Sequence, residues 1–78
     1  MKIKPLEWKN RNDLLVAMGP FGEFQIEQGY DGISAGYIPN DGDEDWEGCY
    51  TVKEAKEHCQ SILRKQVKKA LRFVEGLV

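Results

Sequence analysis

The feature that most constrains the fold is the spacing of apolar residues across residues 51–78. They recur every three or four residues, which is the period of an α-helix with one apolar face. Gln66 is the polar break in that series, and Gly76 indicates a stop near the end. Thr51 followed by Glu54 is a capping-box pattern that marks a helix start. The apolar positions are Val52, Ala55, Cys59, Ile62, Leu63, Val67, Ala70, Leu71, Val74 and Leu77.

Runs typical of β-strands precede this helix and are expected to cover its apolar face. Residues 14–18 are a short apolar run closed by a Gly-Pro pair, which predicts a buried strand. In residues 23–28, Phe24 and Ile26 alternate with polar residues, as in a strand with one buried and one polar face.

The pair Asp31-Gly32 predicts a hairpin after that strand, because both central residues of such a turn need positive φ. The returning strand is predicted over residues 33–38. Its residues on one face are Ile33, Ala35 and Tyr37.

The two ends of the sheet are less regular. Leu6 and Trp8, two residues apart, predict a short strand before a turn at residues 10–13. Residues 43–50 are predicted to form a loop or a short edge segment. The chain is therefore expected to be one α+β domain over residues 1–78, an antiparallel meander of three or four strands with one long helix packed on one face.

Length and composition limit the class of protein. A chain of 78 residues is near the lower size limit for a stable core, so a monomer or a homodimer is expected. No apolar run is long enough for a membrane span, and the N-terminal residues lack the apolar region of a secretory signal. We expect a cytoplasmic protein of a bacterial host, with its two cysteines reduced.

The net charge of −2 conceals a strong segregation of charge. Residues 12–52 contain nine acids and no Lys or Arg, whereas residues 53–78 carry a net charge of +4 and residues 1–11 a net charge of +3. The chain is therefore expected to have an acidic and a basic side.

Two candidate metal sites do not match the ligand patterns of known site types. Asp41, Asp43 and Asp45 match the first ligands of a calcium loop, but Trp46 occupies the position of the required Gly and Val52 that of the required Glu.

Cys49, His58 and Cys59 are one short of a structural zinc site, and His58 and Cys59 diverge by about 100° on a helix. The sequence also contains no second His and no phosphate-binding loop. We predict no catalytic residues, no cofactor and no metal, and hence not an enzyme.

The acidic segment is the stronger candidate for a binding surface. Carboxylates spread over a sheet and a loop can occupy Lys and Arg sites that normally receive phosphates. Trp46, among these acids, either contacts a partner or packs inward on the core. The predicted protein-binding residues are Glu23, Glu27, Asp31, Asp41, Asp43, Glu44, Asp45, Trp46 and Glu47.

The alternative surface is the basic face of the helix, whose cations could contact phosphates of a nucleic acid. A charged solvent-facing side is also the ordinary property of a long helix. The residues concerned are Arg64, Lys65, Lys68, Lys69 and Arg72.

The sequence resembles small uncharacterised open reading frames of phages and prophages. The likeness rests on Leu6-Glu7-Trp8, on the segment that contains Ala17, Phe24 and Ile26, and on a helix start that runs Thr-Val-Lys-Glu-Ala-Lys. A weaker likeness, carried by Pro39, Gly48-Cys49 and the same helix start, is to HicB-type antitoxins.

The phage resemblance and the charge pattern together suggest an anti-defence inhibitor, such as an anti-CRISPR protein. Its partner would be a basic surface of a host protein or ribonucleoprotein. A small nucleic-acid-binding domain and a HicB-like antitoxin are the alternatives.

Overall fold

The computed structural model describes residues 3–75 and has five antiparallel strands followed by one helix. The strands form a meander in the order β1-β2-β3-β4-β5, and the predicted α+β class is confirmed. The sheet has five strands, more than the three or four that the sequence predicts. The elements are β1 (Lys9–Arg11), β2 (Leu14–Met18), β3 (Gly22–Gly29), β4 (Gly32–Pro39), β5 (Asp45–Cys49) and α1 (Val52–Glu75).

The first strand begins later than the sequence predicts. Leu6 and Trp8 belong to an irregular stretch, residues 3–8, which we call the N-terminal segment. The Leu6 amide donates to Gln60 Oε1 at 2.9 Å, and Gln60 Nε2 donates to the Lys4 carbonyl at 3.4 Å. These bonds hold the segment against α1, and Leu6 and Trp8 still pack on the core. Burial of these two residues therefore does not require a strand.

A tight turn at Asn12 and Asp13 joins β1 to β2. Their φ angles are 51° and 67°, the left-handed conformation that a two-residue type I′ hairpin needs at both central positions. Asn and Asp tolerate this conformation better than other residues with a side chain. The turn thus pairs a strand of polar residues with β2, and Lys9 lies opposite Val16.

The second hairpin, β3–β4, is confirmed, with its turn one residue earlier than predicted. Gly29 pairs with Gly32, so Tyr30 and Asp31 are the central residues. Gly32 has φ 133°, whereas the non-glycine residues with positive φ in the described part of the chain are Asn12 and Asp13. The expectation of a left-handed Asp31 is therefore wrong.

The core lies between the sheet and α1. Phe24 and Ile26 in β3 are fully buried, and Ala35 beside Ile26 in β4 is 2% exposed. Across from them, the helix contributes Ala55 and Cys59, both fully buried. Small residues on both sides allow α1 to approach the sheet closely. The predicted alternation in β3 is confirmed, and the predicted apolar face of α1 is confirmed from Ala55 to Val67.

The start of α1 has the predicted cap. Thr51 Oγ1 accepts a hydrogen bond from the Glu54 amide at 3.0 Å. Glu54 Oε2 accepts one from the amide of Tyr50 at 2.9 Å, one residue before the position found in the standard capping box. The expectations for Val74, Gly76 and Leu77 fall outside the residues and side chains that the structure describes.

The helix is longer than the sheet beneath it. At 1.5 Å per residue its 24 residues extend about 36 Å, whereas the eight residues of β4 extend about 26 Å. Leu63 is accordingly 5% exposed, but Leu71 is 38% exposed. The apolar face of α1 is therefore covered over its first half and becomes uncovered beyond Val67.

Two further features of the helix concern a buried polar atom and its apolar character. Gln66 Oε1 is buried and has no hydrogen-bond partner. Within residues 3–75, no helix has the length and apolar character needed to cross a membrane.

Candidate protein-interaction surface

Three of the nine candidate residues, Glu23, Glu27 and Trp46, lie on the face of the sheet that α1 does not cover, which we call the open face. Side chains alternate between the two faces of a strand. Because Phe24, Ile26 and Ala35 point toward α1, their neighbours Gln25 and Gly36 belong to the open face. Trp46 is the cross-strand neighbour of Gly36 and belongs there too.

Four carboxylates cluster where β4 passes into β5. Asp41, Asp43 and Glu44 occupy the connection and Asp45 begins β5, and all four are exposed. Neither ion pair found among residues 3–75 involves any of them. We call these four residues together with Trp46 the acidic end.

The Trp46 ring lies against the backbone of β4. A Cβ atom placed on Gly36 would be 2.6 Å from Trp46 Cε3 and Cζ3, so the ring needs glycine beneath it. Trp46 Nε1 donates to Glu44 Oε2 at 3.3 Å, and 38% of the residue is exposed. The sequence left open whether Trp46 packs inward. It lies on the open face, partly accessible, beside carboxylates.

Two of the predicted acids contact basic side chains of other elements. Arg11 in β1 reaches across β2 to Glu23 in β3, with Arg11 Nη2 and Glu23 Oε1 2.7 Å apart. Gln25 Nε2 donates to the other Glu23 oxygen at 2.9 Å. Glu47 Oε2 lies 3.2 Å from His58 Nε2 on the helix side of β5. Glu23 and Glu47 are therefore less available to a partner than the acidic end.

Glu27 and Asp31 lie at the other end of the sheet. Glu27 is opposite Ser34, and Asp31 is in the β3–β4 turn, whereas the acidic end follows the far end of β4. Since β4 extends about 26 Å, one small contact cannot include both groups. The nine predicted residues thus form no single patch, although the sequence grouped them.

Apolar side chains near the acidic end were not predicted as part of the site. Met18 is 70% exposed and Phe21 is 41% exposed. Phe21 is held close to the end of β4, because its carbonyl accepts hydrogen bonds from Tyr37 Oη at 3.0 Å and from the Asn40 amide at 3.1 Å. Ile38, half-buried, is the neighbour of Glu23 on the open face. The Gly-Pro turn after β2 is the sequence signal that places Met18 and Phe21 there.

The opposite end of the sheet carries two exposed tyrosines that were also not predicted as part of the site. Tyr30 in the β3–β4 turn and Tyr50 after β5 have relative exposures of 107% and 93%. Both line an open cavity together with Gly32 and Gly48, where added Cβ atoms would meet no neighbour within 4 Å. No pattern in the sequence separates these tyrosines from the half-buried Tyr37.

The five basic residues in the second half of α1 are exposed. His58 faces Glu47 on β5, so α1 runs antiparallel to β5 and its second half extends toward the acidic end. None of these cations takes part in an ion pair with another described residue. They are Arg64, Lys65, Lys68, Lys69 and Arg72.

The thiols are poorly suited to nucleophilic chemistry. Burial, with a smaller effect of Cys49, raises the pKa of Cys59 to about 12. Burial and the charges of Glu54 and Glu47 raise the pKa of Cys49, which a backbone hydrogen bond from Ala35 partly offsets. Both groups are therefore thiols, not thiolates, at neutral pH.

Within residues 3–75, no group of three or more His, Cys, Asp or Glu side chains is arranged to hold a metal ion. Comparisons of the chain with protein-family models, with curated proteins and with solved structures find no match. The surface chemistry is therefore the basis for a functional proposal.

Proposed function

We propose that this protein is a non-enzymatic interaction module whose acidic end binds a basic, phosphate-binding surface of a host protein or ribonucleoprotein. By occupying that surface it would inhibit a nucleic-acid-handling or defence complex in the bacterial cytoplasm, in the manner of an anti-CRISPR protein. The phage part of the proposal rests on the resemblance in sequence. The observation that carries the binding mode is the partly exposed Trp46 among four carboxylates that have no ion-pair partner in the described chain.

The chemistry of the acidic end suits a basic partner. Unpaired carboxylates attract Lys and Arg side chains over several ångströms and accelerate association. Trp46 adds a large apolar surface, and tryptophan is among the residues that contribute most to binding energy at protein interfaces. Ile38 lies on the same face of the sheet as Trp46, and the exposed Met18 and Phe21 lie near that end of the sheet.

An interference assay in bacteria tests the proposal. Cells carry a CRISPR–Cas system directed against a phage, and phage plating is measured with and without this protein. The wild-type protein should restore plating, and the triple variant Asp43→Lys, Glu44→Lys, Asp45→Lys should not, because the reversed charges would repel the basic partner.

The matched control reverses two acids at the other end of the sheet, Glu27→Lys and Asp31→Lys, which are also exposed. This variant should inhibit like the wild type. Failure of the wild-type protein to inhibit any interference system would overturn the anti-defence proposal. Equal loss of inhibition in both variants would show that general negative charge matters, and not the acidic end.

A second candidate function is nucleic-acid binding by the basic face of α1. It is favoured by the exposure of five cations, spread over residues 64–72, without ion-pair partners in the described chain. It predicts salt-dependent retardation of DNA or RNA in a gel, abolished by Lys65→Glu with Lys69→Glu. No retardation at low salt would remove this candidate.

A further inference from the structure

An open groove runs along the β1–β2 edge of the molecule, on the opposite side of α1 from β5. It has a volume of about 650 Å³. Helix α1 packs mainly against β3, β4 and β5, so the β1–β2 side of the sheet is left to the N-terminal segment. The lining is mostly apolar and includes Ile3, Leu6, Val16, Met18, Leu63 and Val67.

The rims of this groove are cationic. Lys4 and Lys9 line one side and are exposed. On the helix side, Arg64 and Lys68 each follow a lining residue and lie about 100° further around α1. Neither ion pair of the described chain involves any of these four cations.

The acids at the groove offset this charge only in part. Glu23 is already paired with Arg11 at 2.7 Å, so the two charges largely cancel. Glu7 is the remaining acid of the lining. The groove therefore combines an apolar floor with positively charged edges.

We propose that this groove binds an acidic amphipathic segment of a partner protein, with apolar side chains on the floor and carboxylates along the rims. Helix-in-groove recognition of this kind places apolar side chains at intervals of three and four residues. The site is separate from the acidic end, which has the opposite charge.

The groove chemistry favours this occupant over two others. A nucleic acid would use the rim cations but would leave the apolar floor unmatched. A second copy that inserted its helix would bring Arg64 and Lys68 against the same cations. If it inserted its acidic end instead, the contact would be head-to-tail, which extends into filaments unless the geometry closes a ring.

Binding is tested with a fluorescently labelled peptide of about 18 residues, roughly five helical turns, with Leu at helical spacing and Glu elsewhere. A scrambled peptide of the same composition and a single-stranded oligonucleotide serve as competing probes. Fluorescence anisotropy gives the Kd, and amide chemical shifts locate the contact. The patterned peptide should bind at least about tenfold more tightly than the scrambled one, with shifts at groove residues.

Two variants test the floor and the rim. Met18→Glu places a charge on the floor at a position 70% exposed, so folding should be kept. Lys4→Glu with Lys9→Glu reverses the rim. Each should weaken peptide binding about tenfold. The controls, Tyr30→Glu at the other end of the sheet and Lys53→Glu at the start of α1, should not.

Three results would overturn the proposal. The first is equal binding of the scrambled peptide, or none of either peptide. The second is tighter binding of the oligonucleotide, lost in the rim variant, which would assign the groove to nucleic acid. The third is a concentration-dependent dimer in sedimentation that Met18→Glu abolishes, which would assign it to a second copy.

Discussion

Replacing Gly36 with Ala should displace the Trp46 ring and change the acidic end without altering its charge. The added Cβ would lie 2.6 Å from two ring carbons, nearly 1 Å closer than ordinary contact, so the ring must move outward. Trp46 is 38% exposed, so more than half of its surface, roughly 120 Å² of the 150–250 Å² typical of Trp, is covered. That coverage corresponds to roughly 3 kcal/mol.

A ring lifted by about 1 Å should lose about half of this contact energy, or about 1.5 kcal/mol. Within a strand, Ala stabilises the folded state by about 0.5–1 kcal/mol relative to Gly, because it has less backbone freedom to lose. Gly36→Ala should therefore lower the free energy of unfolding by about 0.5–1 kcal/mol. In a Trp8→Phe background, where Trp46 is the remaining tryptophan, its fluorescence emission should also shift to longer wavelength.

Gly48 offers the matched control on the same face of the sheet. An added Cβ at Gly48 meets nothing within 4 Å, so Gly48→Ala should raise stability by about 0.5–1 kcal/mol and leave the emission unchanged. The two variants should thus differ by about 1.5 kcal/mol, or roughly 6–12 °C in Tm. Equal stabilities and equal emission maxima would refute the placement of Trp46 on Gly36.

Three further predictions concern the helix. Gln66→Leu should raise the free energy of unfolding, measured in urea, by about 1 kcal/mol, because it removes a buried oxygen that accepts no hydrogen bond. A loss of stability would show that Gln66 is hydrogen-bonded in the folded protein. Gln60→Ala should speed hydrogen exchange of the Leu6 amide, which donates to Gln60 Oε1, and an unchanged rate would contradict that bond. The raised pKa of Cys59 predicts a pH effect: the folded state keeps the proton that the unfolded state loses above about 9, so stability should fall between about pH 9 and 12. Cys59→Ala should flatten that fall in unfolding experiments, and an identical slope would argue against a buried thiol.

The parts of the fold predicted from sequence are those with strong periodicity. The alternation of Phe24 and Ile26 with polar residues located β3, and the three-four spacing located α1, because burial on one face imposes these periods. The capping pattern of Thr51 and Glu54 placed the helix start within one residue. In β3 and α1 the local sequence pattern and the tertiary packing favour the same secondary structure.

The edge strands lacked such a signal. Residues 9–11 are all exposed and polar, so no alternation marks β1, and its pairing depends on the left-handed turn at Asn12 and Asp13. Leu6 and Trp8 are apolar two residues apart, yet they contact the core from an irregular segment bound by Gln60. Strand β5 is the other edge strand of the sheet, and four of its five residues are exposed, so it too shows no alternation of buried and exposed residues.

The candidate site, like the fold, was predicted from the sequence only in part. The number of acids and the lack of nearby bases were visible in the sequence, but their grouping depends on strand register. Register separates Asp31 from Asp43 by the length of β4 and places Trp46 over Gly36. The partners of Glu23 and Glu47 also come from distant positions in the chain, Arg11 and His58.

Site-specific photocrosslinking in host cells tests most directly whether the acidic end is the contact surface. A photoreactive aromatic amino acid is placed in turn at Glu44, at Asp31 and at Lys69, which are exposed positions at the acidic end, at the opposite end of the sheet and on the basic face of α1. The proposal predicts a discrete crosslinked product with a host nucleic-acid-binding protein from position 44, and none from position 31. A product from position 31 or 69 without one from position 44 would contradict it.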